Sequence, residues 1–446
     1  MTATLNPRSA NERREPATQP VRVGSGPLLS AATADLAEHH RRNGPMPWQD
    51  AAVRLIGVLE TAGLTGRGGA GFPMWRKLAS VGMAERTVVI GNAAEGEPGS
   101  AKDRTLLIHG PHLVLDGLQL AAEAVGAAEV YLYVGAGPAE QSARRALAER
   151  AATGWDRLPV TVVTAPDTFV SGEESAVVAA VEGRAALPRD RTVRVAERGV
   201  RGRPTLVQNV ETLAHLALIA RHGPHWFRQR GTAEEPGTFL ATLGGAVPAP
   251  GVYEAAYGDR LDALLAQAGG PREPVRAVLV GGYHGAWVPG AELSRARMSR
   301  ESLRPYGASP GAGVVIALPG SACGLTETAR ITSYLAEQSA GQCGPCVNGL
   351  PAMADALTRL AQGDRRPELV AWVERLTTLT EGRGACRHPD GTVRLVRSGL
   401  RVFSDEVRLH LSSRCTVIRP NENAPAQNRA GQNRSAQVPP EQGRGA

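Results

Sequence analysis

Five short segments of this 446-residue sequence have residue types and spacings suited to chemistry. Gly66-Arg67-Gly68-Gly69-Ala70-Gly71-Phe72-Pro73, with Lys77 just beyond, is a backbone bare enough to pass close to a ligand and turn its N–H groups on an anion. Arg67 and Lys77 would add charge for phosphate groups. The plainer alternative is a flexible surface turn, because the loop precedes the first strand instead of following it as a Rossmann fingerprint does. Gly91-Asn92-Ala93-Ala94-Glu95-Gly96-Glu97-Pro98-Gly99 follows directly on a strand, the place where open α/β sheets bind ligands. Asn92 suits a flat heterocycle, and Glu95 and Glu97 accept bonds from hydroxyl or amide groups; read alone, the segment is an acidic turn. Ser171-Gly172-Glu173-Glu174 is a third polar group. In Gln208-Asn209-Val210-Glu211-Thr212 two amides offer paired donors and acceptors, though the segment also reads as a helix start.

The fifth segment is Cys343-Gly344-Pro345-Cys346, with Cys386 further on. C-x2-C ahead of a helix is a two-ligand metal clamp. A thioredoxin-like dithiol is the rival, but that reading expects a βαβ setting and the flanks here are helical. Two unligated thiols are the third option. With Cys323 and Cys415 the cysteines number five, an odd count that excludes a disulfide framework and suits free thiols or ligands in a reducing cytoplasm.

The elements that must hold these segments are legible from hydrophobic period. Thr87–Ile90, Val130–Val134 and Pro159–Val163 read as strands, and Pro111–Val125 and Ala139–Ala152 as helices between them. Strand and helix alternate, which indicates a parallel sheet with right-handed crossovers. From Gly237 short strands with Gly-Pro turns surround one short helix. Thr326–Glu337, Leu350–Ala361, Pro367–Leu379 and Asp405–Leu411 read as helices of a bundle. The expected organisation is a disordered arm over 1–25, an α/β domain over 45–230, a small β domain over 235–292, a helical domain over 318–416 and a disordered tail over 417–446.

Composition narrows the class. Hydrophobic residues are 42%, charged residues 21% and aromatics 4%, an ordinary soluble mixture. No apolar run approaches the roughly 18–20 residues of a membrane helix, and the first 25 residues lack a signal-peptide core. Of the net charge of +7, the two terminal stretches carry +2 each, leaving +3 for the body. A nucleic-acid binder concentrates its basic residues in a stripe, and none is present. A cytoplasmic protein is expected.

In this order the segments resemble the flavoprotein (F) subunit family of respiratory complex I, which includes diaphorase subunits of NAD-linked hydrogenases and formate dehydrogenases. The resemblance covers roughly residues 55–412 and rests on GRGGAGFP (66–73), NAAEGEPGSAKDR (92–104), SGEES (171–175), RPTLVQNVETL (203–213), QSAGQCGPC (338–346) and GRGAC (382–386). It implies a Rossmann-like FMN-binding domain, a β-grasp (SLBB-like) domain and a helical iron–sulfur bundle. It implies FMN held by Gly66, Arg67, Gly68, Gly69, Gly71, Phe72, Lys77, Asn92, Gln208, Asn209 and Thr212. NAD(H) would lie near Glu95, Glu97, Gly172, Glu173 and Glu174, and a [4Fe–4S] cluster on Cys343, Cys346 and Cys386.

The sequence departs from the family pattern at several of these positions. The cluster motif's first cysteine is replaced by Ala340, the acidic residue before Glu95 by Ala94, the cysteine before Gly172 by Ser171 and an adenine-stacking aromatic by Arg194. Cys415, His388, Ser339 or a non-protein ligand would complete the cluster, with a three-iron cluster or an empty site as alternatives. Cys323 is a poor substitute, since the helix it starts carries the chain about 22 Å from it to the motif. The implied activity passes electrons between NAD(P)H and an iron–sulfur carrier, in a divergent, stand-alone member of the family. Its partner would be a ferredoxin, a [2Fe–2S] subunit or a membrane-bound reductase at the inner face of the membrane. Two rivals are a ferredoxin-fed flavoprotein without nicotinamide and a cofactor-poor scaffold.

Overall fold

Val88, Val89 and Ile90 are β-branched and fully buried, and they form the heart of β1 (Thr87–Ala93). Beside it run β2 (Ala127–Gly135), β3 (Val160–Ala165) and β4 (Thr205–Asn209), giving one parallel sheet in the order β3-β2-β1-β4. The first three match the strands expected from sequence and run a little longer. β4 is the addition: only five residues long, it is hidden in the segment that reads as a helix start. The computed structural model describes residues 26–29, 33–48, 52–82, 86–190, 193–415 and 417; apart from Val417, the arm and tail expected to be disordered lie outside them.

Among the described residues, eight helices cover this sheet: α1 (Leu36–Asn43), α2 (Ala52–Ala62), α3 (Met74–Val81), α4 (Lys102–His109), α5 (Pro111–Ala124), α6 (Pro138–Thr153), α7 (Glu174–Val181) and α8 (Val210–Phe227). Pro111 starts α5, where its missing N–H costs nothing, and almost every residue of that helix is buried. One charge lies among them. Burial alone would raise the Asp116 carboxyl, but His39, Arg150 and Arg221 surround it and hold it well below the usual range, tying α1, α5, α6 and α8 together.

The second sheet is mixed. It contains β5 (Thr238–Gly245), β6 (Gly251–Ala256), β7 (Val275–Val280), β8 (Ala286–Pro289) and β9 (Val314–Pro319), in the order β6-β5-β9-β7-β8. The helix α9 (Leu261–Gln267) packs Leu261, Leu264 and Leu265 on its core, and the single-turn α10 (Arg300–Leu303) lies near its edge. β9 is the central strand, parallel to β5 and antiparallel to β7, and it lies beyond residue 292. A Gly- and Pro-rich stretch separates Val314–Pro319 from the other strands in sequence, while pairing places it between them.

The last part is a bundle of α11 (Gly324–Glu337), α12 (Leu350–Ala361), α13 (Glu368–Thr380), α14 (His388–Val402) and α15 (Ser404–Leu411). Four of these match expected helices. α14 has no counterpart among them, because Pro389 and the Asp390-Gly391 pair at its start read as a turn. The fully buried Trp287 joins sheet to bundle, its backbone N–H donating to Ser398 Oγ at 3.1 Å and its indole N–H to Thr328 Oγ1 at 3.0 Å.

Candidate functional site

β2 and β3 extend the first sheet on one side of β1 and β4 on the other, so the strand order reverses between β1 and β4. Loops leave the carboxyl ends of such a pair in opposite directions and open a crevice. Here Gly91 pairs with Gln208 and Asn92 with Asn209. The glycine loop lies across this point. A Cβ on Gly68 would stand 3.3 Å from the Asn209 Cβ, and one on Gly66 would stand 3.8 Å from Gln208 Nε2. Gly66 N–H donates to Phe72 O at 2.9 Å and closes the loop, while Gly69 (φ 104°) and Gly71 (φ 59°) take conformations that L side chains avoid. The Arg300 guanidinium occupies the place a Gly71 side chain would need and donates to Ala70 O at 3.3 Å.

The polar residues around the crevice position one another. Asn92 Oδ1 accepts from Ala94 N–H and its Nδ2 donates to Gly172 O, both at 3.0 Å. Asn209 Oδ1 accepts from Glu211 N–H at 3.1 Å, and its Nδ2 donates to Asp103 Oδ2 at 2.7 Å. Beneath them Lys102 is buried against Asp103 (2.6 Å) and Glu211 (3.0 Å), whose negative charges overcome the burial penalty and keep it cationic. Glu95 accepts from Asp103 N–H and Arg104 N–H and so caps α4; Glu173 does the same for α7 through Ser175 N–H and Ala176 N–H. Lys77 Nζ donates to Val207 O at 2.6 Å and pairs with Glu174 at 2.9 Å.

Arg67 takes a different part from the one its charge suggests. Its backbone N–H donates to Thr212 Oγ1, and its buried guanidinium donates to Thr65 and to the carbonyls of Pro236 and Thr238 while stacking on Tyr257. It tethers the glycine loop to β5. Phe72 is 52% exposed and Arg194 is also exposed.

A cleft of about 640 Å³ opens beside the loop, lined by Gly68–Ala70, Glu97 and Glu173 of the first domain, His284 and Arg300 of the second, and Cys386 and Arg394 of the bundle. Glu97 accepts from Tyr283 N–H at 2.8 Å and Gly99 N–H at 3.2 Å, and burial pushes its carboxyl up to about 7. Phe169, His284, Arg300 and Arg394 join the site although no local motif marks them in the sequence. His284, Arg300 and Arg394 reach it only through contacts between domains.

Cys343 and Cys346 flank the start of a π-helical turn, Pro345–Gly349, that runs into α12, and Cys386 sits just before α14. Burial and the nearby Cys343 and Cys386 thiols push the Cys346 thiol up to about 12. The other candidate ligands lie elsewhere or are engaged. Cys415 stands with Cys323 and His410, and His388 donates from Nε2 to Leu335 O at 2.8 Å while its Nδ1 meets His284.

Two family models match: the Nuo51 FMN-binding domain over residues 59–218 and the NADH-ubiquinone oxidoreductase-F iron–sulfur binding region over 326–410. The NADH-quinone oxidoreductase F subunit 2 of Rhizobium meliloti (strain 1021) is 32% identical over 377 residues, spanning 81% of this chain and 89% of that protein. The chain belongs to the NADH-quinone oxidoreductase F-subunit family. The F subunit of Escherichia coli (strain K12) is 30% identical over 79% of this chain and 83% of its own. A crystal structure of NAD+-reducing [NiFe]-hydrogenase in the H2-reduced state superposes with a TM-score of 0.77 at 28% identity, covering 91% of this chain and 68% of that one.

The residues present fit the family's flavin. The loop is bare backbone, a Cβ on Gly69 would meet nothing nearer than 3.8 Å, and the cleft has the size of a small-ligand site. They fit an iron–sulfur cluster in the kind of donor but not in number, with three thiols where Cys₄ sites have four. Among the described residues no helix is long and apolar enough to cross a membrane.

Proposed function

We propose that this chain is an NADH dehydrogenase-type flavin oxidoreductase, with FMN along Gly66–Gly71 at the β1–β4 crevice and an iron–sulfur cluster on Cys343, Cys346 and Cys386. The observation that carries the reading is the continuity of the cleft: Gly68 and Gly69 line one part of it and Cys386 another. FMN, when bound, supplies acceptance of a hydride and release of single electrons, a chemistry the protein need not perform itself. The chain's part is orientation. The Asn92 and Asn209 side chains, locked by the bonds described above, fix the two strand ends. Glu95 and Glu173 are spent on holding helices α4 and α7 in place, and Lys77 sets a cation against Val207 O at the edge of the crevice. Glu97 is the cleft carboxyl that gains or loses a proton near neutrality, at Oε1 or Oε2.

The family supports an iron–sulfur protein as electron partner, and a ferredoxin or a [2Fe–2S] subunit meets that requirement. A peripheral position at the inner face of a membrane would follow from a membrane-bound partner. The test is an absorbance spectrum of anaerobically purified protein followed by one equivalent of NADH. Flavin absorbance that bleaches, with iron–sulfur absorbance beneath it, is expected. Flavin that ignores NADH would overturn the nicotinamide part, and a protein that refuses FMN would overturn the whole reading.

A further inference from the structure

Four residues remain that the flavin and iron–sulfur reading does not use. Cys323 is the N-cap of α11, accepting from Thr326 N–H at 3.4 Å. Its Sγ lies 3.4 Å from His410 Nε2 and 3.1 Å from Glu406 Oε2. Cys415 comes to the same point: the Cys323 Sγ, the Cys415 Sγ and a ring nitrogen of His410 all lie within 4.8 Å of one another. Glu406 and His410 are four residues apart on α15 and therefore share a face. Both are buried, while the two cysteines are partly exposed.

We propose that Cys323, His410 and Cys415 bind a single zinc-type divalent ion, with the Glu406 carboxylate beside it, 3.1 Å from the Cys323 Sγ. Two thiolates and one imidazole are three ligands of a zinc-type donor set with the fourth position open to water, and the charge of two thiolates balances the ion. Bonds of about 2.0–2.3 Å from one centre require ligand atoms gathered as closely as these are. Ligands of a multi-iron cluster attach to separate irons and stand further apart, so this is not a displaced copy of the Cys343 site.

The surroundings are built to hold the group. Arg276 Nη1 pairs with Glu406 Oε1 at 2.6 Å, and Leu325 N–H donates to Oε2, which orients the carboxylate toward Cys323. Ser413 adopts φ 53°, unfavourable for a residue with a Cβ, and Arg365 bonds its hydroxyl at 2.7 Å. That reversal turns the chain after α15 back toward His410. Binding replaces two S–H protons with the ion, so one metal is taken up and two protons leave. The site then fastens the exit of the chain to the N-terminus of α11, and through Arg276 to β7.

The test uses the full chain purified under reducing conditions, with zinc measured by elemental analysis and Co2+ added as a spectroscopic probe. Roughly one zinc per chain and a thiolate-to-cobalt charge-transfer band are expected. Cys415→Ser should weaken Co2+ binding at this site by at least about 100-fold. Cys415 stands near the end of the described chain, so this variant keeps its fold where Cys323→Ser, at a helix cap, puts it at risk; far-UV circular dichroism checks both. Equal metal content in wild type and Cys415→Ser overturns the proposal. So does a wild-type protein that binds neither ion and instead carries a Cys323–Cys415 disulfide.

Discussion

His284 of the second sheet and His388 of the bundle meet Nε2 to Nδ1 at 3.1 Å, and Phe169 of the first domain stands edge-on to both rings. Because His388 Nε2–H is given to Leu335 O, its Nδ1 accepts and His284 Nε2 must donate. Burial holds both imidazoles below their usual range, so neutral rings make this bond. Three domains thus converge on one aromatic joint at the wall of the cleft.

The space for that joint is set by Gly391, where a Cβ would lie 2.3 Å from His284 Cγ. Gly391→Ala should displace the ring and lower stability by about 1–3 kcal/mol through overpacking. Thermal unfolding and FMN retention measure it. A variant that keeps both wild-type Tm and wild-type flavin content would show that the joint is not needed.

Glu254 predicts a pH dependence of stability. Burial pushes its carboxyl up to about 7 from 4.5, although Thr238 Oγ1 and Leu28 N–H both donate to it. Below pH 4.5 the group is protonated in folded and unfolded chains alike and contributes nothing. Between 4.5 and 7 the unfolded chain ionises first, so stability falls with rising pH until the full penalty is reached above 7. Glu254→Gln keeps an acceptor for Leu28 and a donor for Thr238. It should stabilise by about 1–3 kcal/mol at alkaline pH and leave acid stability unaltered. A lower Tm than wild type at alkaline pH would contradict this.

Glu97 makes the corresponding prediction for the cleft. A carboxyl with its midpoint near 7 changes the charge beside the bound cofactors across the neutral range. Stopped-flow reduction by NADH should therefore vary with pH about that midpoint in wild type and be nearly flat for Glu97→Gln between about pH 6 and 8. Identical profiles for the two proteins would remove Glu97 from any role in the reaction.

Cys386→Ser separates the two half-reactions. Flavin bleaching by NADH should persist, while transfer to an iron–sulfur acceptor falls by more than the roughly 10–100-fold that follows loss of a residue merely orienting a ligand. Parallel loss of both activities would mean that Cys386 supports the flavin side of the cleft instead.

Much of this is legible in the sequence because it is local. Thr87–Ile90 announces β1 by β-branching alone, and the glycine loop and the Asn92 and Asn209 segments meet at adjoining strand ends as their order suggests. Arg67 shows where such reading stops: its charge is visible in the sequence, but its partners Pro236 and Thr238 are about 170 residues away. β9 escapes it for the same reason, since the pairing that makes it central lies with β5 and β7. α14 escapes it for another, because Pro389 and the Asp390-Gly391 pair at its start read as a turn.

The walls of the cleft bear on biogenesis. In synthesis Gly68 comes first, Arg300 follows well after it and Arg394 later still. A growing chain therefore lacks the last wall of this cleft until Arg394 and the bundle that carries it have been made. The segment matched by the FMN-binding family model, expressed by itself, would be a half-shell open to solvent.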